Sequence, residues 1–160
     1  MKTLLVLVFL GFAAVQMVRP AKNVESSPNR AHDLLSMAGV PGEVRSILQS
    51  SCADCHSNTT RYPWYAEIQP AGWLLAKHVK DGKRELNFSN FGNLSPKRAR
   101  QAYEAIIDEV ESGRMPLKSY TWIHREARLT PAQTELLVAW AEDAAEKAKE
   151  QEKAGGAAGQ

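Results

Sequence analysis

Cysteine is scarce in this chain, with two among 160 residues, too few for a disulfide framework. They stand at positions 52 and 55, so a bridge between them would close a loop too small to stabilise a fold appreciably. Their role is therefore chemical rather than mechanical. An excess of charge is missing too: Lys and Arg number 20 against 18 for Asp and Glu. No field of one sign exists to recruit nucleic acid. Also absent are alternating, β-branched segments of the kind that form strands, internal repeats, and any apolar run reaching the roughly 20 residues of a full membrane span. What remains is an ordinary globular balance, 44% hydrophobic, 8% aromatic and 24% charged, in a length suited to one domain. Disordered and collagen-like classes are excluded.

The chain opens on Met1-Lys2 and an apolar run over residues 3–18, interrupted only by Thr3, Gly11 and Gln16 and closed by Arg19-Pro20. Residues 1–19 read as an export signal, either a cleaved signal peptide or an uncleaved signal anchor. The small residues a signal peptidase needs are Ala13 and Ala14, and both sit inside the apolar run ahead of Val15, Gln16 and Met17. That arrangement favours retention. No cysteine follows the run, which excludes lipoprotein processing. With Lys2 inside, residues from about 20 onward lie beyond the cytoplasmic membrane, which places the protein in the bacterial periplasm or on the periplasmic face of that membrane. Residues 20–30 are polar with two prolines and read as a linker, residues 31–141 as the domain, and residues 142–160 as an Ala/Glu/Lys helical extension with a flexible tail.

Every periodic segment of the domain is helical. A short helix is expected over residues 31–38 with Gly39 as its stop, and a second from Pro41, whose stripe Val44, Ile47, Leu48, Cys52, Cys55 runs into the cysteines. A third is expected over residues 71–81 with Gly82 as its cap, setting Leu74, Leu75, His78 and Val79 on one face. Residues 83–94 look irregular. Ser95-Pro96 then opens a helix that repeats through Val110 to Gly113, and Thr130-Pro131-Ala132-Gln133 forms a capping box for a last helix burying Leu136, Leu137 and Trp140. Beyond Trp140 the face is mostly alanine, which offers little for firm packing. The fold class is all-α.

Cys52-Ala53-Asp54-Cys55-His56 is C-x-x-C-H, the attachment sequence of a c-type haem. The spacing has a mechanical reason: on one helical face, two thiols reach the two vinyl groups of a porphyrin while His56 is held beneath the iron as proximal ligand. A thioredoxin-like reading lacks the βαβ sheet that such a motif accompanies, and a zinc reading lacks paired histidines at finger spacing. Function then turns on the sixth iron position. Met115, between Arg114 and Pro116 just past Gly113, is the leading distal candidate, and its thioether would favour ferrous iron and raise the potential. His78 on the apolar face of the third helix is the alternative, with His124 and His32 behind it. Of the aromatics, Trp64, Tyr65, Trp73 and Tyr120, with Tyr62 and Trp122, are expected to wall the haem edge, and Arg61 or Arg84 to bond the propionates.

With C-A-D-C-H, R-Y-P-W-Y, W-L-L-A-K-H-V, L-N-F-S, G-R-M-P-L-K-S-Y and L-L-V-A-W in this order, the chain resembles the bacterial haem-binding-domain family of exported mono-haem c-type cytochromes over about residues 34–141. The resemblance implies a class I cytochrome c-like helical fold, one covalent haem c on Cys52 and Cys55, His56 as proximal ligand, a His-Met or His-His iron, and often an N-terminal anchor. It makes the expected function transfer of single electrons, without enzymatic turnover, between exported redox proteins or membrane electron-transfer complexes. A haem-based sensor with an open or displaceable sixth site is the alternative. A peroxidase is disfavoured, since such c-type enzymes generally use two haems and only one C-x-x-C-H occurs.

Overall fold

A computed structural model describes residues 1–157. Seven α-helices occur in it: α1 Lys2–Val15, α2 Gly42–Ser51, α3 Ala53–His56, α4 Ala71–Glu85, α5 Pro96–Glu111, α6 Lys118–Ile123 and α7 Pro131–Ala157, with no strand among the described residues. The all-helical expectation holds.

The scaffold is the pairing of α5 with α7, onto which α2 packs. Local chemistry fixes where both long helices start. Ser95 Oγ accepts from the Arg98 amide at 3.4 Å, and Pro96 sets the first turn. At α7, Thr130 Oγ1 accepts from the Gln133 amide at 3.2 Å while Gln133 Oε1 accepts from the Thr130 amide at 2.9 Å, the reciprocal capping box expected from the sequence. Gly113, at φ +66°, ends α5 in the left-handed region. Val44, Ile47 and Leu48 of α2, Ile106 and Val110 of α5, and Leu137 and Trp140 of α7 meet in one core. Phe88 and Phe91 close it from the side.

The structure differs from the expected elements where side chains intervene in the backbone pattern. The helix expected over residues 31–38 is instead two 3-10 turns, Arg30–His32 and Leu34–Ser36. Asn29 and Asp33 each accept from the amide two residues on, so the chain is recapped before an α-turn can propagate. Residues 83–94 are not irregular: α4 continues to Glu85 and a 3-10 helix covers Phe88–Asn93. The helix from Pro41 does not run unbroken into the motif, because Cys52 leaves helical geometry at φ −126°. Residues 16–23, at the border of the expected linker, are hydrogen-bonded to the body of the domain: Asn23 Nδ2 donates to the Ser57 carbonyl at 2.8 Å and to Thr60 Oγ1 at 2.9 Å. The flexible tail expected at the end of residues 142–160 lies partly outside the described residues; α7 extends to Ala157.

The alanine face of α7 does pack. Ala141, Ala145 and Ala148 are buried, and Arg100 of α5 reaches across to Glu152 at 3.1 Å. Small side chains let two helices approach closely, and contact area then comes from backbone and stem rather than from large apolar groups. We expect Ala141→Leu to destabilise the protein by about 1–3 kcal/mol through overpacking, read as a lower denaturation midpoint. A gain in stability would mean that the alanine face is loosely packed.

Candidate functional site

The motif folds as a single turn. The Cys52 amide donates to the Leu48 carbonyl at 3.0 Å, and the Cys55 and His56 amides both donate to the Cys52 carbonyl, at 3.1 and 3.0 Å. Cys52, Cys55 and His56 thereby share one face, which the sequence spacing had required. α4 backs this turn. A Cβ on Gly82 would lie 2.7 Å from the Cys55 carbonyl oxygen, so the glycine expected to stop α4 is an interior residue where two backbones touch. Just past α4, the Leu86 carbonyl lies 3.0 Å from His56 Nδ1. A carbonyl only accepts, so Nδ1 carries the proton and Nε2 keeps a free lone pair. Burial lowers the His56 pKa, which favours the neutral imidazole, and Phe88 stacks on the ring at 5.9 Å between centroids.

A cavity of about 300 Å³ opens in front of the turn, with Cys52, Cys55, His56, His78, Met115 and Tyr120 in its wall. These residues come from α3, α4, the 113–117 loop and α6, so segments far apart in sequence converge there. Both thiols are free. Burial, reinforced by the neighbouring Cys55, pushes the Cys52 thiol up to about 12. Burial and the Asp54 carboxylate push Cys55 up to about 11. Such thiols are protonated at neutral pH, the opposite of the activated cysteine of a disulfide oxidoreductase.

Asp54, inside the motif, is a charged residue that sequence reasoning passed over. It is buried, and its carboxylate accepts from the Arg61 amide at 3.1 Å, from Arg61 Nε at 3.1 Å and Nη2 at 3.2 Å, and from Tyr120 Oη at 2.7 Å. The Tyr120 phenol is raised in pKa by burial and by this bond. Asp54 thus ties the attachment turn to the loop after it and to α6. Nothing local in the sequence signals this, because its partners lie seven and 66 residues away.

The other expected site residues divide. Met115 and His78 both reach the cavity. His124 does not: its Nδ1 faces Glu126 Oε1 at 3.2 Å and its Nε2 faces Tyr65 Oη at 2.7 Å, which occupies both nitrogens. His32 lies against Gly92. Tyr120 is in the wall, but Trp64, Tyr65 and Trp73 are not; Trp64 is 77% exposed, Tyr65 is bonded to His124, and Trp73 Nε1 donates to the Val18 carbonyl at 2.8 Å. Arg61 is committed to Asp54, and Arg84 to Asp81 and Glu85.

Two neutral thiols on one turn, an imidazole with a free Nε2, and a thioether and second imidazole from other elements, all around a largely apolar space, suit a covalently held haem. They do not suit a compact polyligand metal site: among the described residues no three His, Cys, Asp or Glu side chains converge on one point. A sequence model of the family described as a haem-binding domain matches residues 10–143. No curated protein matches, and no solved structure does.

Two outcomes follow from this geometry. Gly→Ala inside a helix ordinarily stabilises by about 1 kcal/mol, whereas Gly82→Ala is expected to destabilise by about 1–3 kcal/mol because its methyl group meets the Cys55 backbone; a thermal melt reads the sign. The second concerns pH. The folded chain without haem holds both thiols above their ordinary pKa of 9.0, so the stability they contribute is complete below about pH 9 and is lost as pH rises toward 11 to 12. Chemical denaturation of haem-free protein across this range should show the loss, and a Cys52→Ala/Cys55→Ala variant should show a smaller one, the remainder coming from buried phenols such as Tyr103 and Tyr120, which burial also raises.

Proposed function

We propose, from the premise that this chain belongs to the haem-binding-domain family, that it holds one haem c through Cys52 and Cys55 and carries single electrons between exported redox partners. The observation that carries this reading is the convergence of both thiols, His56 and Met115 on one apolar cavity. A bound haem supplies an iron centre with a one-electron couple. The chain's own residues then decide what that centre does.

His56 presents Nε2 as the proximal ligand, with ring orientation and basicity set by the Leu86 carbonyl. Met115 is the distal ligand in this reading. α4 supplies the support behind the proximal turn, through Gly82 against Cys55 and the chain leading to Leu86, so His78 approaches from the proximal element. Met115 arrives on a separate segment beyond α5 that lines the same cavity. Two protein ligands leave no position for a substrate, which suits electron transfer rather than bond-making, and a thioether makes the carrier relatively oxidising. Apolar walls keep water away, so little solvent reorganises on electron transfer.

The reading as a ligand sensor has one observation in its favour. The loop bearing Met115 is held by an exposed Arg114–Glu109 pair and by the Met115 amide donating to the Glu109 carbonyl at 3.0 Å, a hold that a small ligand competes with more easily than a buried one.

The deciding measurement is the oxidised absorption spectrum of matured protein. A weak long-wavelength band from sulfur on ferric haem is expected in the wild type and in His78→Ala, and its loss in Met115→Ala, together with a lowered reduction potential and rapid carbon monoxide binding to ferrous iron. A low-spin spectrum without the band that turns high-spin in His78→Ala would assign the distal position to His78. Rapid carbon monoxide binding to the wild type would favour the sensor.

A further inference from the structure

α1 is a helix of 14 residues, KTLLVLVFLGFAAV, with no buried side chain. Leu4, Leu5, Val6, Leu7, Val8, Phe9, Leu10 and Phe12 are each at least half exposed. It is apolar on every side, so it lacks the charged face of a helix that lies in the plane of a bilayer surface. At 1.5 Å per residue it is about 21 Å long, against roughly 30 Å for the hydrocarbon core. No helix among the described residues is long and apolar enough to cross a membrane.

The base of α1 is clamped to the domain. Gln16 Nε2 donates to the Gln69 carbonyl at 3.3 Å while its Oε1 accepts from the Gln69 amide at 2.8 Å. Trp73 Nε1 donates to the Val18 carbonyl at 2.8 Å. Arg19 and Lys22 both pair with Glu67, at 2.7 and 2.5 Å. The segment that grips α1 also exposes apolar groups, Trp64 at 77%, Ile68 at 41%, Trp73 at 38% and Leu74 at 53%; Trp122 and Ile123 of α6 are exposed as well, but α6 makes none of the bonds that hold α1.

We propose that residues 64–74 form a membrane-seating collar, in which Trp64, Ile68, Trp73 and Leu74 rest in the headgroup layer of the lipid bilayer that α1 enters. The inference rests on the reading of α1 as a retained anchor. Helix length selects the occupant. A long anchor on a flexible tether would let the domain float, whereas a short helix fixed at its base to the domain enters the lipid only if that surface comes down with it. Tryptophan suits the layer where that surface would sit, since its ring is apolar and its N–H polar. Arg19 and Lys22 at the same level would face anionic headgroups beyond their pairing with Glu67.

The test uses the full haem-loaded chain and vesicles of phosphatidylethanolamine and phosphatidylglycerol, with co-sedimentation and hydroxyl-radical footprinting read by mass spectrometry. The expected result is that the chain sediments with the vesicles, that Trp64 oxidises more slowly there than in detergent-free solution, and that Trp64→Ala/Leu74→Ala weakens binding about tenfold. Both replaced side chains are solvent-exposed, and an unchanged haem spectrum checks that the variant is folded. Trp64→Tyr should restore most of the loss. If the chain binds but Trp64 oxidises as in solution and the double variant binds equally well, the collar is overturned while the anchor stands. If the full chain stays in the supernatant, the anchor reading fails, and the collar with it.

Discussion

The contact of α4 on the C-x-x-C-H turn is the constraint on which the rest of the site depends. A side chain at Gly82 would meet the Cys55 carbonyl, so only glycine lets the two backbones come this close. That approach delivers α4's end to the position where the Leu86 carbonyl meets His56 Nδ1 at 3.0 Å. Turn, tautomer and ring orientation then follow from one helix placement. It also explains why α4 does not end at Gly82: a stop there would leave Leu86 without the geometry to accept the His56 proton. The paired scaffold of α5 and α7 stands apart from this contact and meets it through α2 and the core.

A second constraint is electrostatic. Asp54 carries a charge into a buried turn, and burying a carboxylate is costly unless several donors replace its water. Arg61 and Tyr120 supply them. Arg61 is itself mostly exposed, so its pairing alone contributes modestly. The backbone amide of Arg61 and the Tyr120 hydroxyl add directional bonds that need no long side chain to be held still. The outcome is specificity of arrangement: the chain after the motif and α6 are both referenced to one residue between the two cysteines. α6 stacks Tyr120 on His124 at 4.4 Å, and His124 bonds Tyr65. Of the aromatics expected at a haem edge, Tyr120 lines the cavity and bonds Asp54, and Tyr65 joins it through His124.

Much of the fold was legible because its signals are local. Ser95-Pro96 and Thr130 to Gln133 place helix starts through bonds spanning three residues, and Gly113 places a stop through its own φ. The failures are equally physical. Gly82 carries the same letter as Gly113 but serves a contact with a residue far away in sequence, which periodicity cannot distinguish from a cap. The 31–38 segment has helical apolar spacing, yet Asn29 and Asp33 bond amides two residues on and divert it. At the site, C-x-x-C-H and Met115 were readable as a motif and as a methionine out of helical core spacing. Trp64 and Trp73 lie outside the cavity wall, because nearness to the motif in sequence says nothing about which way the 3-10 turn Trp64–Glu67 and α4 direct them. Asp54 was missed since its partners are set by tertiary structure alone.

The protonated state of the two thiols bears on how such a site survives before it is filled. On the export side proposed for this chain, oxidants would drive a C-x-x-C pair toward a disulfide, and that product leaves no thiol to bond a vinyl group. Disulfide formation proceeds through thiolate. With Cys52 at about 12 and Cys55 at about 11, thiolate is a minor species at neutral pH, and burial restricts access as well. On the proposed reading the cost would fall on haem attachment, because the same burial that protects the thiols from oxidation slows any thiol chemistry in the folded chain.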